Sequence, residues 1–65
     1  MISYKPLLKT LINKNLKKTD LQNLISCSST TLAKISNNEN ISLDVINKIC
    51  KALDCKIEDV IEYVD

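Results

Sequence analysis

Apolar residues recur along this chain at helical spacing, in short runs separated by polar ones. Leu7, Leu8, Leu11 and Ile12 fall at i, i+1, i+4 and i+5, on one side of a helix. Pro6 suits the first turn of that helix, where its missing N–H costs nothing. The spacing predicts helix 1 over residues 5–14, ended by the polar run around Asn15. Leu21, Leu24 and Ile25 repeat the pattern and predict a short helix 2 over residues 18–25. A capping box from Thr19 and Gln22 would start that helix later. Leu32 and Ile35 give a third helix, about residues 29–36, its inward side, and Ser28 is a good N-cap for it. Asn37-Asn38 should end it, since asparagine tolerates the left-handed conformation. Ser42 caps a fourth helix with Asp44 favourable in its first turn. Ile46, Ile49, Cys50 and Leu53 form the clearest apolar stripe in the chain, and Asp54-Cys55 closes it. Ile57, Val60 and Ile61 predict a fifth helix of one or two turns. Glu62-Tyr63-Val64 reads as a short strand that pairs with Ile2-Ser3-Tyr4, a minor terminal ribbon.

Composition supports a helical reading. The chain has no glycine, one proline and two aromatic residues, where an all-β domain would want glycine-rich turns and β-branched alternation. Its 65 residues suffice for one domain, 1–65, with a limited core. Three cysteines, Cys27, Cys50 and Cys55, are an odd number for a disulfide framework. With no histidine and no CxxC pair they do not suggest a zinc site either. They read as plain thiols in a reduced, cytoplasmic protein without a signal peptide or membrane segment.

Charge is divided unevenly. The net charge is +1, but residues 1–36 carry six lysines against Asp20, and residues 37–65 carry three lysines against seven carboxylates. A basic half beside an acidic half fits an anionic partner on one side.

The stretch "SCSSTTLAKISNN", residues 26–38, sharpens that expectation. Two short helices separated by Ser26-Cys27-Ser28 have the spacing of a helix-turn-helix. In that motif the second helix enters the DNA major groove and its N-terminal residues reach base edges. Thr30, Ala33, Lys34 and Asn37 lie at i, i+3, i+4 and i+7, away from Leu32 and Ile35, with Ser29 beside them at the exposed end. Ser29, Thr30, Thr31, Ala33 and Lys34 make a slim polar side that lets a helix backbone come close to bases.

The run "LKKTDLQNLISCSSTTLAKISNNENISLDVINKICKALDCKIEDVIEY" resembles the XRE, or phage repressor and Cro, type of helix-turn-helix, especially its short single-domain bacterial members. The resemblance extends from Leu8 to Tyr63 and is most specific in "ISLDVINKICKALDCKIEDVIEYV". It implies an all-α, compact five-helix repressor-like domain that binds double-stranded DNA as a sequence-specific regulator, a repressor. Carried over by position, Lys18 would touch the DNA backbone, Ser29 and Thr30 would read bases, and Asn37 would contact phosphate. Thr31 and Lys34 lie on or beside the same side, and Lys17 and Ser28 complete the expected DNA-binding set. This sequence departs from the pattern at Lys18 for glutamine, Gln22 for alanine, Ser26 and Asn38 for glycine, and Glu39 for a basic residue. It also has no arginine, the best bidentate reader of guanine.

Catalysis has little support: no histidine, no phosphate loop and no nucleophile motif are present. Adjacent Glu58 and Asp59 point different ways on a helix and cannot easily flank one substrate. No cofactor, metal or small-molecule ligand is expected, as a chain this short struggles to enclose one. The competing expectation is a protein-interaction module on the same fold, antitoxin-like or accessory, using the acidic second half and Ile57, Val60, Ile61 and Tyr63 as its surface; the same apolar cluster would alternatively join two copies as a homodimer on two half-sites one helical turn apart.

Overall fold

The computed structural model describes residues 1–65. Four α-helices follow in order: α1 (Lys5–Asn13), α2 (Lys18–Ile25), α3 (Ser29–Ser36) and α4 (Leu43–Leu53). Strand β1 (Ile2–Ser3) precedes them and strand β2 (Glu62–Tyr63) follows them. The two strands pair antiparallel, Ile2 opposite Tyr63 and Ser3 opposite Glu62, so the expected ribbon is present.

The core draws on every helix and on both terminal segments. Tyr4, Leu7, Leu11, Leu21, Ile25, Ile35, Ile46, Ile49, Leu53 and Val60 form one buried cluster. The α4 stripe lies inward as its period demands, with Cys50 half-buried at its edge. The shorter helices bury less than their sequence suggests. Leu7 and Leu11 are buried, but Leu8 and Ile12, one residue further round, lie 38% and 72% exposed. Leu24 on α2 is likewise outside the core, at 53%.

The fifth helix is absent, so the fold has four helices and not five. Residues Ile57–Asp59 make a single 3₁₀ turn. Lys56 N–H donates to Asp59 Oδ2 at 3.2 Å, and Val60 N–H closes the turn onto the Ile57 carbonyl at 2.9 Å. Ile57, Val60 and Ile61 are all β-branched, and the chain must extend at once to bring Glu62 opposite Ser3. The start of α2 also differs in detail. The Thr19–Gln22 box does not form; Asp20 Oδ2 accepts from Lys17 N–H at 2.8 Å and fixes the start two residues earlier.

All four helices stop in one way. Asn15, Ser26, Asn38 and Asp54 have φ of 57°, 52°, 55° and 51°. The residue after each donates its N–H back to a carbonyl five residues earlier: Leu16 to Leu11, Cys27 to Gln22, Glu39 to Lys34, and Cys55 to Cys50. This is the Schellman stop, which normally places glycine in the left-handed position. A chain without glycine fills it with short polar residues instead.

Asn38 does a second job. Its Oδ1 accepts from Tyr4 N–H at 3.1 Å, and the Tyr4 hydroxyl donates to the Glu39 carbonyl at 2.6 Å. Burial pushes the Tyr4 phenol above its ordinary pKa of 10.0, with a backbone hydrogen bond at Ile41 opposing.

Ser26→Gly should therefore stabilise the protein by about 1 kcal/mol, because only the strain of a Cβ is removed. Asn38→Gly should not, since it also strips the acceptor from a part-buried N–H, at about 1–3 kcal/mol. Urea midpoints of the two variants check this. A second outcome concerns pH. The phenol's contribution is intact below its unfolded pKa and is lost as pH rises beyond it toward the raised folded value. Tyr4→Phe should be less stable at neutral pH, yet lose less stability than the parent between pH about 9 and 11. Denaturant titrations across that range measure it.

Candidate nucleic-acid interface

Helices α2 and α3 are joined by Ser26–Ser28 alone. The left-handed Ser26 turns the chain, and Cys27 is half-buried against the core beneath the turn. Ser28 is extended, with φ −75° and ψ 160°, and its Oγ accepts from Thr31 N–H at 3.2 Å. That bond satisfies one of the free donors at the start of α3. The Ser28 and Thr31 hydroxyls also lie 3.2 Å apart, so Thr31 is drawn into the cap.

The sides of α3 then separate cleanly. Ile35 is buried and Leu32 half-buried, and these two hold the helix to the core. Ser29, Thr30, Ala33, Lys34 and Asn37 are all exposed. Thr31 is half-buried, at the boundary between the two sides. The exposed strip therefore starts at the cap and runs to Asn37, which ends the helix with its N–H on the Ala33 carbonyl at 3.0 Å. Its members are short except for Lys34. Nothing acidic lies on α3 itself, and Glu39 follows just past its end, exposed.

Lysines frame this strip unequally. Lys17 and Lys34 are exposed. Lys18, at the first turn of α2, is half-buried, and its Nζ donates to Ser36 Oγ at 3.1 Å. The ammonium thus bridges the start of α2 and the end of α3. Ser36 is the one residue in this cluster that the sequence reading overlooked. The signal was available, because Ser36 lies seven residues after Ser29, two helical turns along the same side. Gln22, half-buried on α2, is accommodated without displacing either helix from its expected limits.

The remaining chemistry lies elsewhere. Cys27, Cys50 and Cys55 are free thiols, all half-buried. No three Cys, Asp or Glu side chains converge to hold a metal ion. No helix is long and apolar enough to cross a membrane.

Comparison with known proteins adds to this geometry. The Cro/C1-type HTH DNA-binding domain matches residues 6–65. Among solved structures, the crystal structure of the transcriptional regulator VanUg is similar over 97% of this chain and 84% of that one, at 41% identity and a TM-score of 0.95. No curated protein matches the sequence.

The cap of α3 is open to a direct check. Ser28→Ala should cost about 1 kcal/mol and expose the Thr31 amide to hydrogen exchange. Ser28→Asp should keep the stability, because aspartate caps as well as serine. Equal losses in both variants would show that the Ser28 hydroxyl does not act as the cap.

Proposed function

The chain belongs to the Cro/C1-type helix-turn-helix DNA-binding family, and within it we propose a sequence-specific repressor that binds duplex DNA as a homodimer. It is a DNA-binding transcription regulator, a binding function and not an enzymatic one. The proposed mode places α3 in the major groove. The observation that carries it is the division of α3 between buried Ile35 and the exposed strip of Ser29, Thr30, Ala33 and Lys34. Ser29 and Thr30 lie at the tip of that strip, where a groove-bound helix presents its first turn to base edges. Their hydroxyls donate or accept, and a threonine methyl packs on a thymine methyl. Ala33 keeps the middle of the helix slim.

Phosphate contacts fall to the rim. Lys17 and Lys34 carry free ammonium groups, and Lys18 is held in place by Ser36. Ser28 and Asn37 offer polar groups at the two ends of α3, and Thr31 supports the first turn from behind. Without arginine, most affinity comes from lysine–phosphate contacts and counterion release, which makes binding steeply salt-dependent.

Size supports a homodimer. The chain measures 30 × 24 × 18 Å. Half-sites in this mode repeat at about 34–36 Å, so one copy covers one half-site. Of the apolar residues expected at the interface, Val60 is fully buried and unavailable, whereas Tyr63 is 74% exposed. Leu43, 75% exposed, lies on the rim of an apolar cleft that Ile2, Ile41, Ile46 and Ile61 line beneath it. Cleft and protruding Leu43 side by side suit a two-fold interface, in which each copy fills the other. A regulator of this kind works in the cytoplasm, where it meets DNA.

Selection of bound sequences from random duplex DNA across a salt series tests the reading. Enrichment of a two-fold symmetric site is expected, and none at low salt would refute it. Lys34→Ala should weaken binding to all duplexes and reduce the salt slope by about 1. Thr30→Ala should instead relax sequence preference by about 1 kcal/mol. Unchanged affinity and preference in both would remove α3 from the interface.

A further inference from the structure

The stop of α4 differs from the other three in the chemistry of its paired positions. In each stop, one residue accepts the returning N–H and another, five further on, donates it. At α1 these are Leu11 and Leu16, at α2 Gln22 and Cys27, and at α3 Lys34 and Glu39. At α4 they are Cys50 and Cys55, both half-buried and both free thiols. Side chains at these two positions of a Schellman stop commonly meet. Here the backbones are joined by Cys55 N–H to the Cys50 carbonyl at 3.1 Å, and Cys50 lies near enough to help raise the pKa of the Cys55 thiol.

A disulfide requires Cα atoms about 4.4–6.8 Å apart and Cβ atoms that face each other. A direct backbone hydrogen bond keeps the two residues close at the helix stop, so closure calls for side-chain rotation and not for movement of a helix or strand. The pair is also reachable, because both thiols are only half-buried and Cys55 lines an open polar cleft with Thr10, Lys14, Asp54 and Asp59.

We propose that Cys50 and Cys55 are an oxidation site that closes into a reversible intramolecular disulfide and staples the end of α4. The inference stands apart from the DNA-binding mode and needs only the helix stop. The oxidant is a small disulfide such as oxidised glutathione. One cysteine thiolate attacks it, the glutathione S–S bond breaks, and one glutathione thiolate leaves. The second cysteine then gives up its proton and attacks the mixed disulfide, expelling the second glutathione. Two protein thiols are oxidised, and one glutathione disulfide is reduced to two thiols.

The surroundings suit Cys55 to the second step. Burial raises its pKa, the Cys50 sulfur and the Asp59 carboxylate add to the rise, and Lys14 opposes it. A thiol held protonated attacks slowly on its own, but quickly once its target is fixed alongside. Cys27 takes no part, since its own stop pairs it with Gln22.

The test uses the Cys27→Ser protein, exposed to oxidised glutathione and read by intact mass, peptide mapping and thermal unfolding. The expected product has lost the mass of two hydrogen atoms and carries Cys50 and Cys55 in one bridged peptide. Its unfolding midpoint rises by on the order of 10 °C, because the unfolded chain now carries a short closed loop. That rise is reversed by dithiothreitol and does not depend on protein concentration. Cys55→Ser, in the same background, should instead retain one glutathione on Cys50. Glutathione held stably on both thiols of the parent, bridged dimers, or unreacted thiols under excess oxidant would each overturn the proposal.

Discussion

A left-handed residue reverses the chain at the end of each helix, and the directions of all four helices follow from those reversals. Asn15, Ser26, Asn38 and Asp54 supply them in a sequence with no glycine. Each such residue costs about 1–2 kcal/mol against a relaxed backbone, with asparagine and aspartate at the lower end. A chain of 65 residues has only a few kcal/mol of net stability to set against that. The offset comes from the fully buried Leu7, Leu21, Ile49 and Val60 and the side chains around them. The turn of the helix-turn-helix is one of these four stops, followed at once by the Ser28 cap. Its geometry is therefore an ordinary consequence of how this chain ends helices, and what distinguishes it is how quickly the next helix begins.

Tyr4 connects that local rule to the orientation of α3. The segment before α1 and the turn after α3 are far apart in sequence, and two hydrogen bonds through Tyr4 join them. At its start, α3 is fixed by the Ser28 cap; at its end, by Asn38 and Glu39 against Tyr4; along its length, by Ile35. Lys18 adds a fourth constraint through Ser36. A helix only two turns long could not hold its direction by propensity alone, since short helices depend on tertiary contacts. These contacts are what present its outer side as a rigid strip.

Features carried by local chemistry were the ones legible in the sequence. Ser28 and Ser42 cap where hydroxyls before a helical run should cap, and the α4 stripe is buried where its period places it. The strip of Thr30, Ala33, Lys34 and Asn37 is exposed as its spacing implies. What failed depended on neighbours. Leu8, Ile12 and Leu24 share the period of buried residues, but α1 and α2 each meet the core on one narrow side. The segment after α4 has helical spacing over only one turn, and the demand for ribbon pairing overrides it. The Lys18–Ser36 hydrogen bond joins two helices, so the spacing within either one did not reveal it.

The departures at Ser26, Asn38 and Lys18 acquire physical meaning together. Ser26 occupies a left-handed position where glycine would carry no Cβ strain, so it lowers stability without adding a contact. Asn38 sits in the same conformation but returns a hydrogen bond to Tyr4, so its side chain compensates for its backbone. Lys18 exchanges a neutral amide's two-way hydrogen bonding for a positive charge, and Ser36 gives that charge a fixed address. In a chain lacking arginine, a tethered ammonium is the nearest substitute for a planar, pre-organised cation. An ammonium held in this way would lose less side-chain entropy on meeting an anion than a free lysine. The α2–α3 pair thus combines two parts of its sequence: small hydroxyl residues that keep the outer side of α3 slim, and a lysine braced between the two helices.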